Sequence, residues 1–151
     1  MDDVRQSVAP RQGYALEELV VGMTASYFHT LSESDVVDFA DLTGDHNPLH
    51  LDEEFAKRTR FKGRIVHGML TASFLSTVVA IMPGPGTIYL SQSLAFHAPV
   101  RIGDTVEAHV TVAEINAAHK RVQLKTVCRV GDKVVIDGEA LVMVPSRKAP
   151  A

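Results

Sequence analysis

Asp45 and His50 stand five places apart in the stretch Gly44-Asp45-His46-Asn47-Pro48-Leu49-His50. Their ordinary pKa values, about 3.9 and about 6.5, let an ionised carboxylate and a neutral imidazole coexist near neutral pH. Such a pair can hold one water molecule and manage its protons, which is general acid–base chemistry. A blander reading also fits: Asp45 caps a turn and His50 is a satisfied core histidine. Turn chemistry likewise accounts for Asn47, which precedes Pro48. Further along, His67-Gly68 opens an apolar segment. The Gly68 N–H would be a first-turn donor with no partner inside its helix, at the positive end of the dipole. Glycine there lets a carbonyl oxygen approach closely, or it simply relieves packing. His67 reads as a structural hydrogen-bonder and His46 as a solvated side chain.

Other chemistries fit less well. His46 and His50 are four apart, as in a helical metal site, but Pro48 breaks the helix that would align them, so no metal is expected. Ser73 and Ser76 lie in no G-x-S-x-G elbow. Gly84-Pro85-Gly86 lacks the third glycine and the preceding strand of a dinucleotide loop. The basic run Lys57, Arg58, Arg60, Lys62 and Arg64 reads as a solvated face or as an attraction for phosphates.

The elements that must position these groups follow from periodicity. Thr24–Leu31 has strand-forming residues. Ser32-Glu33-Ser34-Asp35 offers a helix cap, and Val36, Phe39, Ala40 and Thr43 recur at helical spacing up to Gly44. Pro48 excludes an ordinary helix interior, so Gly44–His50 is expected to be irregular. Asp52 can cap a short helix through about Arg60, with Phe55 and Ala56 facing inward. Gly68–Met82 is a helix apolar nearly all round, which must be surrounded by protein. Thr87–Ala98, Thr105–Ile115, Lys120–Val130 and Lys133–Val144 then read as strands of period two, with a turn at Gly131-Asp132. Gly138 inside the last one marks a bulge or a close backbone approach. Long strands and one enclosed helix predict an α+β domain, an antiparallel sheet wrapped around a long central helix. A sandwich with the helix on one open face is the second choice.

The chain has 151 residues, 46% hydrophobic, with 15 basic and 18 acidic side chains. That suits one domain, expected over residues 14–144 between loose tails at 1–13 and 145–151. The slight acidity argues against a nucleic-acid partner. Cys128 is the only cysteine, which leaves no disulfide framework and no thiolate zinc site. No charged residue occurs from Ile65 to Val100. Its helical part is nevertheless only about 14 residues against the roughly 20 a membrane span needs. Without a cationic, apolar leader or a terminal address signal, a soluble cytoplasmic protein is expected.

The stretch Gly44–His50, with Ala56 and the later Ile65-Val66-His67-Gly68-Met69, resembles the MaoC-like family of (R)-specific enoyl-CoA hydratases, also called hydratase 2. The G-D-x-N-P-L-H signature is matched at every fixed position, and the resemblance runs from about Leu16 to Val144. It implies a hot-dog homodimer that adds water reversibly to trans-2-enoyl-CoA, giving (R)-3-hydroxyacyl-CoA. Asp45 and His50 take the family's catalytic positions. Asn47 takes that of the asparagine orienting the dyad and water, and the Gly68 N–H that of the thioester-carbonyl donor. The substrate is itself the CoA thioester, and no separate cofactor is implied. Counting along the helix from Gly68 puts Ala72, Ser76 and Val79 on one face, expected to line the acyl tunnel. Dehydration of (R)-3-hydroxyacyl thioesters on CoA or acyl-carrier protein uses the same groups in reverse. A non-catalytic hot-dog partner subunit and a thioesterase remain alternatives.

Overall fold

The computed structural model describes residues 13–147. Strand β1 (Thr24–Thr30) leads into helix α1 (Glu33–Thr43), whose start and stop are both written in its sequence. Ser32 accepts from the Asp35 N–H while the Asp35 carboxylate accepts from the Ser32 N–H, a reciprocal capping box. Gly44 ends the helix at φ 82°, a left-handed backbone that glycine adopts at little cost. Two short helices follow, α2 (Pro48–Leu51) and α3 (Glu53–Lys57), then the long α4 (Gly68–Ile81). The remaining chain is β2 (Ile88–Gln92), β3 (Ala95–Phe96), β4 (Thr105–Asn116), β5 (Arg121–Val130) and β6 (Lys133–Met143).

The strands form one antiparallel sheet in the order β1-β4-β5-β6-β2, with β3 also pairing β6. Period two decides which residues point inward. Val106, Ala108, Val110 and Val112 on β4, and Val122, Leu124 and Cys128 on β5, are buried, as are Ile136, Ala140 and Val142 on β6. They close over Leu70, Leu75, Val78 and Val79 of α4. Each fully buried side chain of this size contributes roughly 1.5–3 kcal/mol of transfer free energy. An exposed ion pair is worth about 0–1 kcal/mol, so burial and not surface charge holds α4 in the sheet. This is the hot-dog architecture expected from the sequence.

Several local expectations need correction. The expected single strand Thr87–Ala98 is broken at Ser93-Leu94 into β2 and β3. Gly138 on β6 supplies the reason: a Cβ there would run into the Ser93 backbone carbonyl, the close approach the sequence marked. Residues 44–47 are irregular as expected, but the segment ends there, and His50 lies on the short helix α2. Pro48 takes the first position of α2, where its missing N–H costs nothing. Asp52 caps α3 as expected, accepting from the Phe55 N–H, and Ala56 is buried, but Phe55 points outward at 40% exposure. Helix α4 is not enclosed all round by its own chain, since Met69, Ser73, Ser76 and Ala80 form an exposed stripe. Within the expected C-terminal tail, Pro145 and Arg147 are held: the Pro145 carbonyl accepts from the Leu16 N–H at 2.9 Å, and Arg147 pairs with Glu18 at 3.0 Å. Residues 1–12 and 148–151 of the expected tails lie outside the described residues.

Candidate active site

His50 is fixed from three sides. Its backbone N–H donates to the Asn47 carbonyl at 3.0 Å, and its carbonyl accepts from Arg64 Nε at 2.7 Å. Its ring Nδ1 lies 2.8 Å from the Ile65 carbonyl. A carbonyl only accepts, so Nδ1 carries an N–H, and in the neutral imidazole Nε2 is the nitrogen with the lone pair. The residue is buried, at 8% exposure.

Asp45 sits on the exposed loop just past the Gly44 cap. The Thr43 hydroxyl accepts from its N–H at 3.2 Å, and the Asn47 N–H donates to its Oδ1 at 3.3 Å. The Asn47 side-chain oxygen is engaged elsewhere, accepting from the Leu49 N–H at 3.0 Å as the cap of α2. Asn47 therefore meets Asp45 through its main chain, and its side-chain oxygen does the turn chemistry weighed above.

A carboxylate oxygen of Asp45, a ring nitrogen of His50 and a ring nitrogen of His67 all lie within 4.8 Å of one another. A water making two hydrogen bonds of about 2.8 Å at a tetrahedral angle spans about 4.6 Å between its partners. The imidazoles of His50 and His67 are also stacked, centroids 4.0 Å apart and planes 30° from parallel. Their in-plane lone pairs run in adjacent layers and do not converge on one ion. The three groups stand close enough for one water molecule to bridge two of them.

His67 is more deeply placed than its position before a helix indicated, at 1% exposure. Its Nε2 lies 3.1 Å from the Asp45 carbonyl and so donates to it. Phe39 covers the ring at 4.8 Å between centroids. Burial pushes its pKa below the ordinary histidine value, the Asp45 hydrogen bond opposes this in part, and neighbouring His50 adds to the lowering. His46 behaves oppositely. It is exposed, its Nε2 pairs with Asp41 at 3.1 Å and its Nδ1 faces the Gly44 carbonyl at 3.2 Å. The Asp41 contact, then the Gly44 bond, holds its pKa above the ordinary value.

Gly68 opens α4 directly after His67. An added Cβ would meet Phe96 Cδ1 and Cε1 at 2.7 Å, so the glycine has a packing role against that ring. The expected acyl-lining face divides in the structure. Ala72 and Ser76 line an apolar groove of about 450 Å³ together with Phe39, Met69, Ser73, Tyr89, Gln92 and Leu94. Gly68 borders instead a separate cavity of about 280 Å³, with Thr71, Phe61 and Phe96. Val79 is in the core cluster and not on the groove wall. At 100° per residue, Met69 and Ser73 fall on the far side of Ala72 and Ser76 from Gly68 and Val79. The groove is therefore rotated from the expected line toward the exposed stripe. A helical wheel could have found Met69 and Ser73. Tyr89 and Gln92 had no such signal, because a register shift between Tyr89 and Ser91 breaks the period.

Of the basic run, Lys57, Arg58, Arg60 and Lys62 are exposed, as a solvated face would be, and Arg64 alone is committed to the fold. Arg64 forks onto Glu33 at 2.8 and 3.0 Å while holding the His50 carbonyl, and Arg101 ties the Arg64 and Phe61 carbonyls at 3.2 and 2.7 Å. Lys57 pairs with Glu54 at 3.4 Å. Arg60 lies 4.8 Å over the Phe61 ring at the mouth of the smaller cavity. Arg64 is thus neither solvated nor available to a phosphate, but a support for His50.

Comparison with known proteins agrees with this frame. The family description "MaoC like domain" matches residues 20–135. The chain is 54% identical over 132 residues to an (R)-specific enoyl-CoA hydratase of Rhodospirillum rubrum, covering 87% of this chain and 92% of that protein. It is 53% identical over 133 residues to a 3-hydroxybutyryl-CoA dehydratase of Methylorubrum extorquens, covering 87% and 85%. An unliganded R-hydratase structure from Pseudomonas aeruginosa superposes with a TM-score of 0.84 at 39% identity, covering 92% of this chain and 95% of that one.

Proposed function

Because the chain belongs to the MaoC-like domain family, we propose that it hydrates trans-2-enoyl-CoA reversibly to (R)-3-hydroxyacyl-CoA. The observation that carries this reading is the meeting of the Asp45 carboxylate with a His50 ring whose Nδ1–H is committed to the Ile65 carbonyl. His50 Nε2 takes a proton from the bridging water. The water oxygen bonds to C3 as the C2–C3 π electrons move toward the thioester oxygen. The Gly68 N–H donates to that developing enolate oxygen. The proton then returns through the Asp45–His50 pair to C2 on the same face, which gives syn addition. Acid–base groups of this kind contribute about 10²–10⁴ in rate and one oxyanion donor about 10²–10³. Dehydration is the same path reversed, so one site serves both directions.

The acyl chain beyond C3 lies in the groove of Ala72 and Ser76 in this reading. That groove is open in a single protomer. The exposed α4 stripe and the edge strand β2, with exposed Ile88 and Leu90, support a homodimer in which a second copy covers them. No separate cofactor enters the scheme. Action in the cytoplasm is part of this reading; among the described residues no helix is long and apolar enough to cross a membrane.

The test is incubation with crotonyl-CoA, following loss of the conjugated enoyl absorbance and the chirality of the product. (R)-3-hydroxybutyryl-CoA is expected. Pure (S) product would overturn the reading, and release of free thiol would replace it with thioester hydrolysis.

A further inference from the structure

We infer that His67 is a positioning residue for the water-adding pair, clamping the Asp45 main chain and the His50 ring to the tip of α4. The inference rests on the hydratase reading and extends it to a residue outside the dyad. Three contacts carry it. The His67 Nε2–H donates to the Asp45 carbonyl at 3.1 Å. Its ring lies flat against His50 at 4.0 Å. Its own backbone is the cap residue of α4, so the next N–H along the chain is that of Gly68. One imidazole thus touches the Asp45 loop, the His50 ring and the helix start.

The unused nitrogen strengthens the case. His67 Nδ1 is buried with no hydrogen-bond partner among the described residues. An unsatisfied buried polar atom costs about 1–3 kcal/mol. A side chain needed only to fill this space beneath Phe39 would be cheaper as a hydrocarbon. The imidazole is accounted for by its other edge, where the donor to Asp45 sits. Planarity of the peptide unit holds the Asp45 carbonyl, its Cα and the His46 N–H in one plane, so this hydrogen bond sets where the Asp45 side chain leaves the main chain. Stacking fixes the plane of the His50 ring, and the Ile65 carbonyl fixes its rotation within that plane. Burial lowers the His67 pKa, which favours the neutral ring in this clamp.

Two variants separate the ring from its donor. His67→Phe keeps the ring and loses the N–H. His67→Gln loses the ring and keeps an amide donor of similar reach. With crotonyl-CoA, His67→Phe is expected to lower kcat at least about tenfold while KM stays within about threefold, because misplacement by an ångström costs about 10²-fold in rate. His67→Gln is expected to recover part of that loss. In an Asp45→Asn background, His67→Phe should cost less than about threefold more, since its effect runs through Asp45. A His67→Phe enzyme with near-normal kcat overturns the inference. So do losses that multiply fully in the Asp45→Asn background, or a loss in His67→Gln as large as in His67→Phe; if the Phe variant fails to fold, a folded His67→Gln enzyme that loses more than about tenfold in kcat overturns the inference. Wild-type protein that does not hydrate crotonyl-CoA refutes the hydratase reading itself; an active wild type with an indifferent His67 refutes only the clamp.

Discussion

Substituting Gly68 by Ala separates the two roles this glycine carries. The new Cβ would stand 2.7 Å from two atoms of the Phe96 ring, against the roughly 3.5–4.0 Å of comfortable carbon contact. Overpacking of this kind costs about 1–3 kcal/mol. Phe96 is 54% exposed and sits on the two-residue strand β3, so its ring can swing toward solvent and the cost should fall near the lower end. Alanine's better helix propensity offsets up to about 1 kcal/mol. Net destabilisation is then about 1 kcal/mol or less, a shift of only a few degrees in Tm for a domain of this size. The effect on rate should be far larger. Alanine keeps the N–H proposed to receive the thioester oxygen, but its methyl group would crowd the oxygen's approach, and a donor blocked in this way costs up to about 10²–10³ in kcat. Thermal melts by circular dichroism and turnover of crotonyl-CoA, measured on the same preparation, give the two numbers. A Gly68→Ala protein that turns over within about threefold of wild type refutes the donor assignment, as does a loss of activity no greater than its unfolded fraction explains.

Asp45→Asn and His50→Ala should each lose at least about 10² in kcat while keeping a native melt, and near-normal turnover in either removes it from the mechanism. Ser76→Leu narrows the apolar groove and should shift kcat/KM toward shorter acyl chains by about tenfold, the worth of a methylene or two in such a pocket; unchanged selectivity with octenoyl- against crotonyl-CoA rejects the groove as the acyl site. Stability should depend on pH through His67. Its folded pKa is lowered below 6.5, so the unfolded chain binds the proton more readily, and stability falls as pH drops below about 6.5 towards the folded value. His46, raised above 6.5, acts with the opposite sign: its contribution is complete below 6.5 and fades as pH rises through its folded value, but its exposure leaves it screened. His67→Phe should therefore flatten the fall in Tm between about pH 8 and about pH 5.5. Parallel Tm curves for the two proteins would contradict the assignment.

Much of the frame was legible because burial imposes a period. Val122, Leu124 and Cys128 alternate on β5, and the α1 cap box and Gly44 stop are local chemistry. The meeting of Asp45 with His50 was legible only through the whole motif, since spacing alone places neither side chain. What stayed hidden depends on partners distant in sequence. Arg64 reads as one member of a charged run until Glu33 and the His50 carbonyl are seen beside it. Phe55 carries a core residue's chemistry but falls on the outer side of a helix only five residues long. The rotation of the groove around α4 is set by where the sheet stops covering the helix, a tertiary fact with no local signature.

Gly138 and Gly68 lie on different elements yet share one mechanical dependence. Because β6 offers no Cβ where Ser93 crosses it, the chain can jog there and resume as β3. That jog delivers Phe96 to the tip of α4, where the second glycine receives its ring. A bulkier residue on β6 would thus be felt first at the opening turn of the buried helix, and evolution of the far strand is tethered to the chemistry at that turn.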